Sequence, residues 1–212
     1  MDLDTLKQFG NVPVSTGELK TLLTDYRSPE MKIHSLEREG VLISLKRGLY
    51  LVSPRISGKP PMPELNANRL YGPSYVSLHY ALRRYGLIPE EVYRVTSITT
   101  RHTRQFENPL GVFSYRGVRA DYFFIGLTQG EEEGTRFIMA SPEKSLCDTI
   151  LQTPYLPSRS VRGLEVFLEE DLRLDMDMLP DFDLSIVEQC AAVGCKENLF
   201  LNLITVIKRF KK

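Results

Sequence analysis

Apolar residues recur at helical spacing almost from the start of the chain. After a first short helix, Ser15 precedes Leu19, Leu22 and Leu23, an inward face at steps of three and four, and Glu18 stands three residues beyond Ser15. That serine and glutamate are spaced to cap a helix reciprocally, each side chain meeting an orphan backbone N–H near the other. A third helix is marked at both ends. Ser28-Pro29 supplies an N-cap followed by the residue best tolerated in a first turn, and Glu39-Gly40 supplies a glycine able to close the helix in the left-handed conformation. With Ile33 and Leu36 turned inward, Ser28, Met31, Lys32, Ser35 and Arg38 fall on the opposite face. Residues 41–45 and 49–52 are then runs of strand formers around Lys46-Arg47-Gly48, which predicts a hairpin.

Two short helices, a longer third and a basic-tipped hairpin are the outline of a winged helix-turn-helix. The third helix has the width of the major groove, where Lys32, Ser35 and Arg38 would reach base edges. Arg27 and Ser28 stand at its phosphate-facing start, and Lys46 and Arg47 at the hairpin tip would meet phosphates. The competing reading is a winged module that binds protein without DNA. It would expose apolar side chains where this helix shows Ser28, Lys32, Ser35 and Arg38.

The periodicity stops at Ser53-Pro54-Arg55-Ile56-Ser57-Gly58-Lys59-Pro60-Pro61-Met62-Pro63, where prolines and glycine oppose both helix and central strand. A boundary is therefore expected here, with residues 1–57 as a DNA-binding unit and residues 58–212 as a larger α+β unit closed by helices. Beyond it the pattern predicts helices over 64–71 and 73–85, the second stopping at Gly86. Strands are expected over 92–98, 111–115, 122–125 and 136–140. Ser141-Pro142-Glu143-Lys144 repeats the N-cap, proline and acid signature and opens a helix through Leu146 and Ile150. The last of two or three closing helices spans residues 197–210, with Leu199, Phe200, Leu203, Ile204, Ile207 and Phe210 along one face.

Charge sharpens this division. The 27 basic and 27 acidic residues cancel overall. Residues 58–120 nevertheless hold nine Lys and Arg against four Asp and Glu, and residues 161–212 hold seven against ten. Nucleic-acid affinity comes largely from cations that release counterions at phosphates. Arg83-Arg84 and the run Thr99-Thr100-Arg101-His102-Thr103-Arg104 are therefore candidate phosphate contacts, Arg101 and Arg104 with neighbouring hydroxyls to assist. The acidic end repels phosphate and calls for a different partner.

Composition sets the remaining bounds. A chain of 212 residues suits one to two domains, and 42% hydrophobic with 25% charged residues suits a globular protein with a real core. No apolar run approaches the roughly 20 residues that span a bilayer, and Met1-Asp2-Leu3-Asp4 lacks the start of a secretory signal, so a cytoplasmic location is expected. Cys147, Cys190 and Cys195 form no metal-binding spacing, and are expected to pack as small hydrophobes. No cofactor is expected.

The chain resembles a known family. Tyr75-Val76-Ser77-Leu78-His79-Tyr80-Ala81-Leu82, followed by Tyr85-Gly86-Leu87-Ile88-Pro89-Glu90 and Val95-Thr96-Ser97, is similar to the hallmark region of the AbiEi-type antitoxins of type IV toxin-antitoxin (abortive infection) systems. Arg47-Gly48-Leu49-Tyr50, Phe113-Ser114-Tyr115-Arg116 and Ser141-Pro142-Glu143-Lys144-Ser145-Leu146-Cys147-Asp148 fall in the corresponding order. The similarity weakens through Phe167-Leu168-Glu169-Glu170-Asp171-Leu172. The resemblance implies an N-terminal winged helix-turn-helix that represses its own operon at inverted repeats in double-stranded promoter DNA. It also implies a second domain that contributes to operator binding and neutralises a cognate nucleotidyltransferase-like toxin.

The rival class is a metal-dependent nuclease or nucleotidyltransferase built on acids such as Asp121, Glu143 and Asp148. That chemistry needs carboxylates converging on a divalent cation. Only Glu143-Lys144 hints at it, and no phosphate-cradling glycine-rich loop accompanies the acids. A role without catalysis is therefore expected.

Overall fold

In the computed structural model, which describes residues 3–154, 156, 160–193 and 196–211, the capping pair forms as its spacing predicts. Ser15 Oγ accepts from the Glu18 N–H at 3.2 Å, and Glu18 Oε2 accepts from the Ser15 N–H at 2.7 Å. The first unit runs α1 (Leu3–Lys7), β1 (Val14–Ser15), α2 (Thr16–Leu22), α3 (Pro29–Arg38), β2 (Leu42–Lys46) and β3 (Leu49–Val52). The three strands form a sheet of order β1-β3-β2, all antiparallel. Ile33 and Leu36 of α3 are buried with Leu6, Leu19, Leu23 and Leu42, the inward face that their spacing requires. Gly48 turns the hairpin at φ +81°, and Gly40 ends α3 at φ +70°, both left-handed positions that favour glycine.

The proline-rich run is more ordered than its composition suggests. Residues Pro54–Ser57 make a single helical turn, α4, with Pro54 in the first turn and Gly58 left-handed at its end. Proline opposes a helix interior but not its start, so the run contains a turn as well as extended chain.

The second part continues with α5 (Pro63–Leu70), β4 (Ser74–Val76), α6 (Leu78–Arg84), β5 (Val95–Thr99), β6 (Arg104–Asn108) and β7 (Gly111–Gly117). There follow α7 (Ala120–Phe123), β8 (Leu127–Glu132), β9 (Thr135–Ala140), α8 (Pro142–Gln152), α9 (Val161–Val166), α10 (Leu184–Ala192) and α11 (Glu197–Phe210). A π-helical turn at Phe167–Asp171 and a 3-10 helix at Met176–Asp181 link the last helices. The sheet is mixed, of order β6-β7-β5-β4-β9-β8, with β5 parallel to β7 and β4 parallel to β9. The chain is therefore α+β. The closing helices bury Leu164, Leu168, Val187, Cys190, Phe200 and Leu203 against Leu146, Cys147 and Ile150 of α8. Cys147 and Cys190 are thus packed in the core, and Cys195 lies outside the described residues.

Two local expectations are corrected, and two edge strands are added. The stretch 73–85 is not one helix: Ser74–Val76 forms a central strand between β5 and β9, because a fully buried Tyr-Val pair gains more in the sheet than helical spacing gives it. Residues 122–125 are not a strand. Tyr122 and Phe123 lie in the short α7 and enter two separate apolar clusters, whereas Phe124 is 72% exposed. Strands β6 and β8 are sheet edges, with largely exposed, polar side chains and little apolar alternation to announce them.

A hydrophobic cluster crosses the expected boundary. Leu45 and Leu51 of the hairpin are buried with Met62, Leu65, Val76 and Phe113. Asn108 Nδ2 donates to the Leu45 carbonyl at 3.2 Å, and Thr135 Oγ1 donates to Asn11 Oδ1 at 3.3 Å.

Candidate nucleic-acid interface

Helix α3 offers a polar outer face because its apolar residues are committed inward. Arg27, Ser28 and Arg38 are exposed, Lys32 and Ser35 are half-buried, and Met31 is 64% exposed among them. Arg27 and Arg38 make no ion pair among the described residues. Ser28 sits at the N-cap without a side-chain capping bond, so its hydroxyl is not spent on the helix. Ser35 is spent: its Oγ donates to Glu39 Oε1 at 2.5 Å. Lys32 Nζ stands 5.7 Å from the Tyr26 ring centroid, which steadies its stem without neutralising it. Of the acids of the helix, Glu30 meets Lys20 at 2.5 Å, whereas Glu37 lies 3.7 Å from His34, an ion pair only when that histidine is protonated.

At the hairpin tip the two predicted cations diverge. Arg47 is exposed. Lys46 turns toward the second part, where its Nζ donates to the Leu70 carbonyl at 2.6 Å and lies 6.0 Å from the Phe106 ring. Burial, then the charges of Arg104 and Arg101, hold the Lys46 ammonium below the usual lysine value.

That repulsion reports a convergence. Lys46 from the hairpin and Arg101 and Arg104 from the second part, 55 or more positions along the chain, surround two aromatic rings. Arg101 stacks 5.6 Å from the centroid of Tyr71, and Arg104 lies 5.9 Å from Tyr71 and 4.9 Å from Phe106. Neither arginine meets a carboxylate among the described residues. Cations held on ring faces are oriented and leave their N–H groups open to an anion.

Arg83 and Arg84 are placed otherwise. Arg84 bridges Glu64 at 2.8 Å and Glu132 at 2.7 Å and stacks on Phe137, while Arg83 faces Glu91 at 3.4 Å. Burial lowers the Arg84 guanidinium, but its bond to Glu132 and the charge of Glu64 outweigh burial and raise it. These two arginines knit the fold together and are not presented as free cations.

The acids considered for a metal site do not come together. Asp121 pairs with Arg119, Glu143 Oε1 accepts from the Asp183 N–H at 2.9 Å, and Asp148 is wholly buried. Around Asp148 lies a polar knot that the sequence does not announce. Ser77 Oγ donates to Asp148 Oδ2 at 2.6 Å, Lys144 Nζ is 3.4 Å from Oδ1, and the same Nζ donates to the Tyr122 carbonyl at 2.9 Å. Burial pushes the Asp148 carboxyl up, against the pull of Lys144, Ser77 and the Tyr122 and Tyr75 hydroxyls. The spacing of Lys144 and Asp148 at four residues is the available clue, yet such a pair ordinarily lies on a solvated helix face.

No protein-family model matches the chain, and no curated protein matches it.

Proposed function

We propose that this chain is a DNA-binding transcriptional repressor and the antitoxin of a type IV toxin-antitoxin system, acting without catalysis in the cytoplasm. The order of the first unit supports the winged helix-turn-helix: helix, short strand, two helices, then a hairpin whose second strand pairs with the first strand. The observation that carries the DNA reading is the meeting of hairpin and second part in one basic, ring-supported patch of Lys46, Arg101 and Arg104. Both parts then grip phosphate while α3 reads bases through Lys32 and Arg38, from a start at Arg27 and Ser28. The partner is double-stranded promoter DNA with inverted repeats, and the resemblance to AbiEi-type antitoxins adds a nucleotidyltransferase-like toxin as the second partner. Among the described residues no helix is long and apolar enough to cross a membrane.

Gel-shift titration with the DNA upstream of its own gene tests the reading. Arg38→Ala should weaken specific binding by about 1–3 kcal/mol and relax base preference at the position it contacts. Unchanged affinity and preference would remove α3 from the reading role. Co-expression with the neighbouring nucleotidyltransferase-like gene tests the antitoxin half, through restored growth.

A further inference from the structure

Helix α3 keeps one apolar side chain out of the core. Ile33 and Leu36 are buried, and among the described residues of the first unit Met31 is the only large apolar side chain left largely exposed, at 64%. Single apolar residues are ordinary on a surface, so the neighbours decide what this one can meet. Steps of three, four and three residues place Ser28, Met31, Ser35 and Arg38 in one stripe along the helix, with Lys32 beside it.

Those neighbours do not suit an apolar partner. A stripe that docks on protein would carry its apolar surface into the next turn, whereas Met31 stands between hydroxyls and among the positive charges of Arg27, Lys32 and Arg38. None of these three cations makes an ion pair among the described residues. The stripe therefore fits a polyanion that shows one small apolar group to it. Base edges in the major groove meet that description at thymine alone: adenine, guanine and cytosine present only hydrogen-bonding groups there, and thymine adds a C5 methyl. Methionine suits the contact, because its unbranched chain and polarizable sulfur adapt to the position of a methyl group.

We propose that Met31 is a specificity-determining residue, its thioether end packed on the C5 methyl of one thymine in each half of the operator, beside the contacts of Lys32 and Arg38. The inference rests on the promoter reading and deepens it, since it names a base that α3 selects.

The test compares the duplex upstream of the gene with the same duplex synthesised with deoxyuridine in place of thymidine, which removes the methyl and keeps every hydrogen-bonding group of the base. In gel-shift titrations at fixed salt, the wild type should bind the deoxyuridine duplex about fourfold more weakly for each methyl group covered. Met31→Ala exchanges an exposed side chain for the best helix former, so no loss of fold is expected. This variant should bind the thymidine duplex as weakly as the wild type binds the other, and should no longer distinguish the two. Met31→Leu keeps an apolar end and should restore the preference. Single deoxyuridines should confine the loss to one position in each half of the repeat.

Specific binding with equal affinity for the two duplexes overturns the proposal and leaves the promoter reading standing. A preference that survives in Met31→Ala does the same, since the cycle then shows no coupling between methionine and methyl. A loss spread evenly over all thymines overturns the direct contact and assigns the effect to the shape of the duplex. Absence of specific binding to either duplex overturns the promoter reading, and this inference with it.

Discussion

Ser77 and Asp148 are 71 positions apart, fully buried, and joined by a 2.6 Å hydrogen bond that ties the start of α6 to the middle of α8. They belong to residues 75–82 and 141–148, two stretches that the fold brings into contact. Lys144 completes the knot as the counter-ion.

Breaking this knot should be costly, because each partner left behind is a buried polar group. Asp148→Ala strands the Lys144 ammonium and is expected to destabilise the protein by about 3–5 kcal/mol, and Ser77→Ala by about 1–3 kcal/mol. Replacing both charges, as in Lys144→Met with Asp148→Leu, should recover much of the loss. Urea midpoints measure all three. A double variant no more stable than Asp148→Ala alone would show that the pair is not the source of the cost.

The Ser15 and Glu18 cap gives a pH dependence of definite sign. Glu18 is held below the ordinary glutamate value of 4.5, chiefly by the Ser15 side chain and then the Ser15 N–H. Its contribution is therefore present above that value and is lost as pH falls through the lower folded value. Ser15→Ala should cost about 1 kcal/mol near neutrality, and the gap from wild type should close in acid. A gap that stays constant down to about pH 2 would mean that the Ser15 hydroxyl is not what holds the Glu18 carboxyl down.

Residues legible in the sequence are those whose chemistry acts locally. The Ser15 and Ser141 caps and the bounds of α11 follow from residues within one or two turns. Tyr122-Phe123-Phe124-Ile125 misleads because an aromatic run reports burial but not period, and here neighbouring rings enter different clusters. The convergence of Lys46 with Arg101 and Arg104 is not legible at all. It depends on strand pairing across the whole second part, and both stretches are recognisable in the sequence only as basic.

The salt dependence of binding would separate the cations proposed to meet phosphate from the structural arginines. Arg101→Ala with Arg104→Ala should weaken specific and non-specific duplexes alike and reduce the slope of log affinity against log salt by about 0.9 for each phosphate no longer neutralised. Arg84→Ala should leave the slope alone and lower stability instead, since Glu64 is nearly buried and loses its counter-ion. Equal slopes for the double variant and wild type would take the patch out of the interface.

Gly117 is fixed by close approach. A Cβ there would stand 2.6 Å from the Arg101 carbonyl oxygen, a backbone atom that cannot swing aside. Gly117→Ala should force the β5 and β7 loops apart and cost about 1–3 kcal/mol, as overpacking does. Gly134→Ala has open space around its Cβ but a left-handed backbone, so its cost is conformational only. A Gly117→Ala midpoint equal to wild type would contradict the crowding.

The last expectation concerns how independent the two parts are. Proline content places a boundary at residues 53–63, yet Leu45 and Leu51 are 3% and 1% exposed in a cluster shared with Met62, Leu65, Val76 and Phe113. Lys46 adds its bond to Leu70, and Asn108 its bond to Leu45. Removing the first unit would expose the other side of this cluster, at about 1.5–3 kcal/mol for each large side chain uncovered. The whole chain should then unfold in one calorimetric transition whose van't Hoff and calorimetric enthalpies agree. A fragment beginning at Lys59 should melt well below the intact protein and bind an apolar dye, and any rescue from the toxin would be weaker than that of the full chain. Two resolved transitions, with the fragment melting at the same temperature as its counterpart in the whole chain, would show instead that the cluster contributes nothing across the boundary.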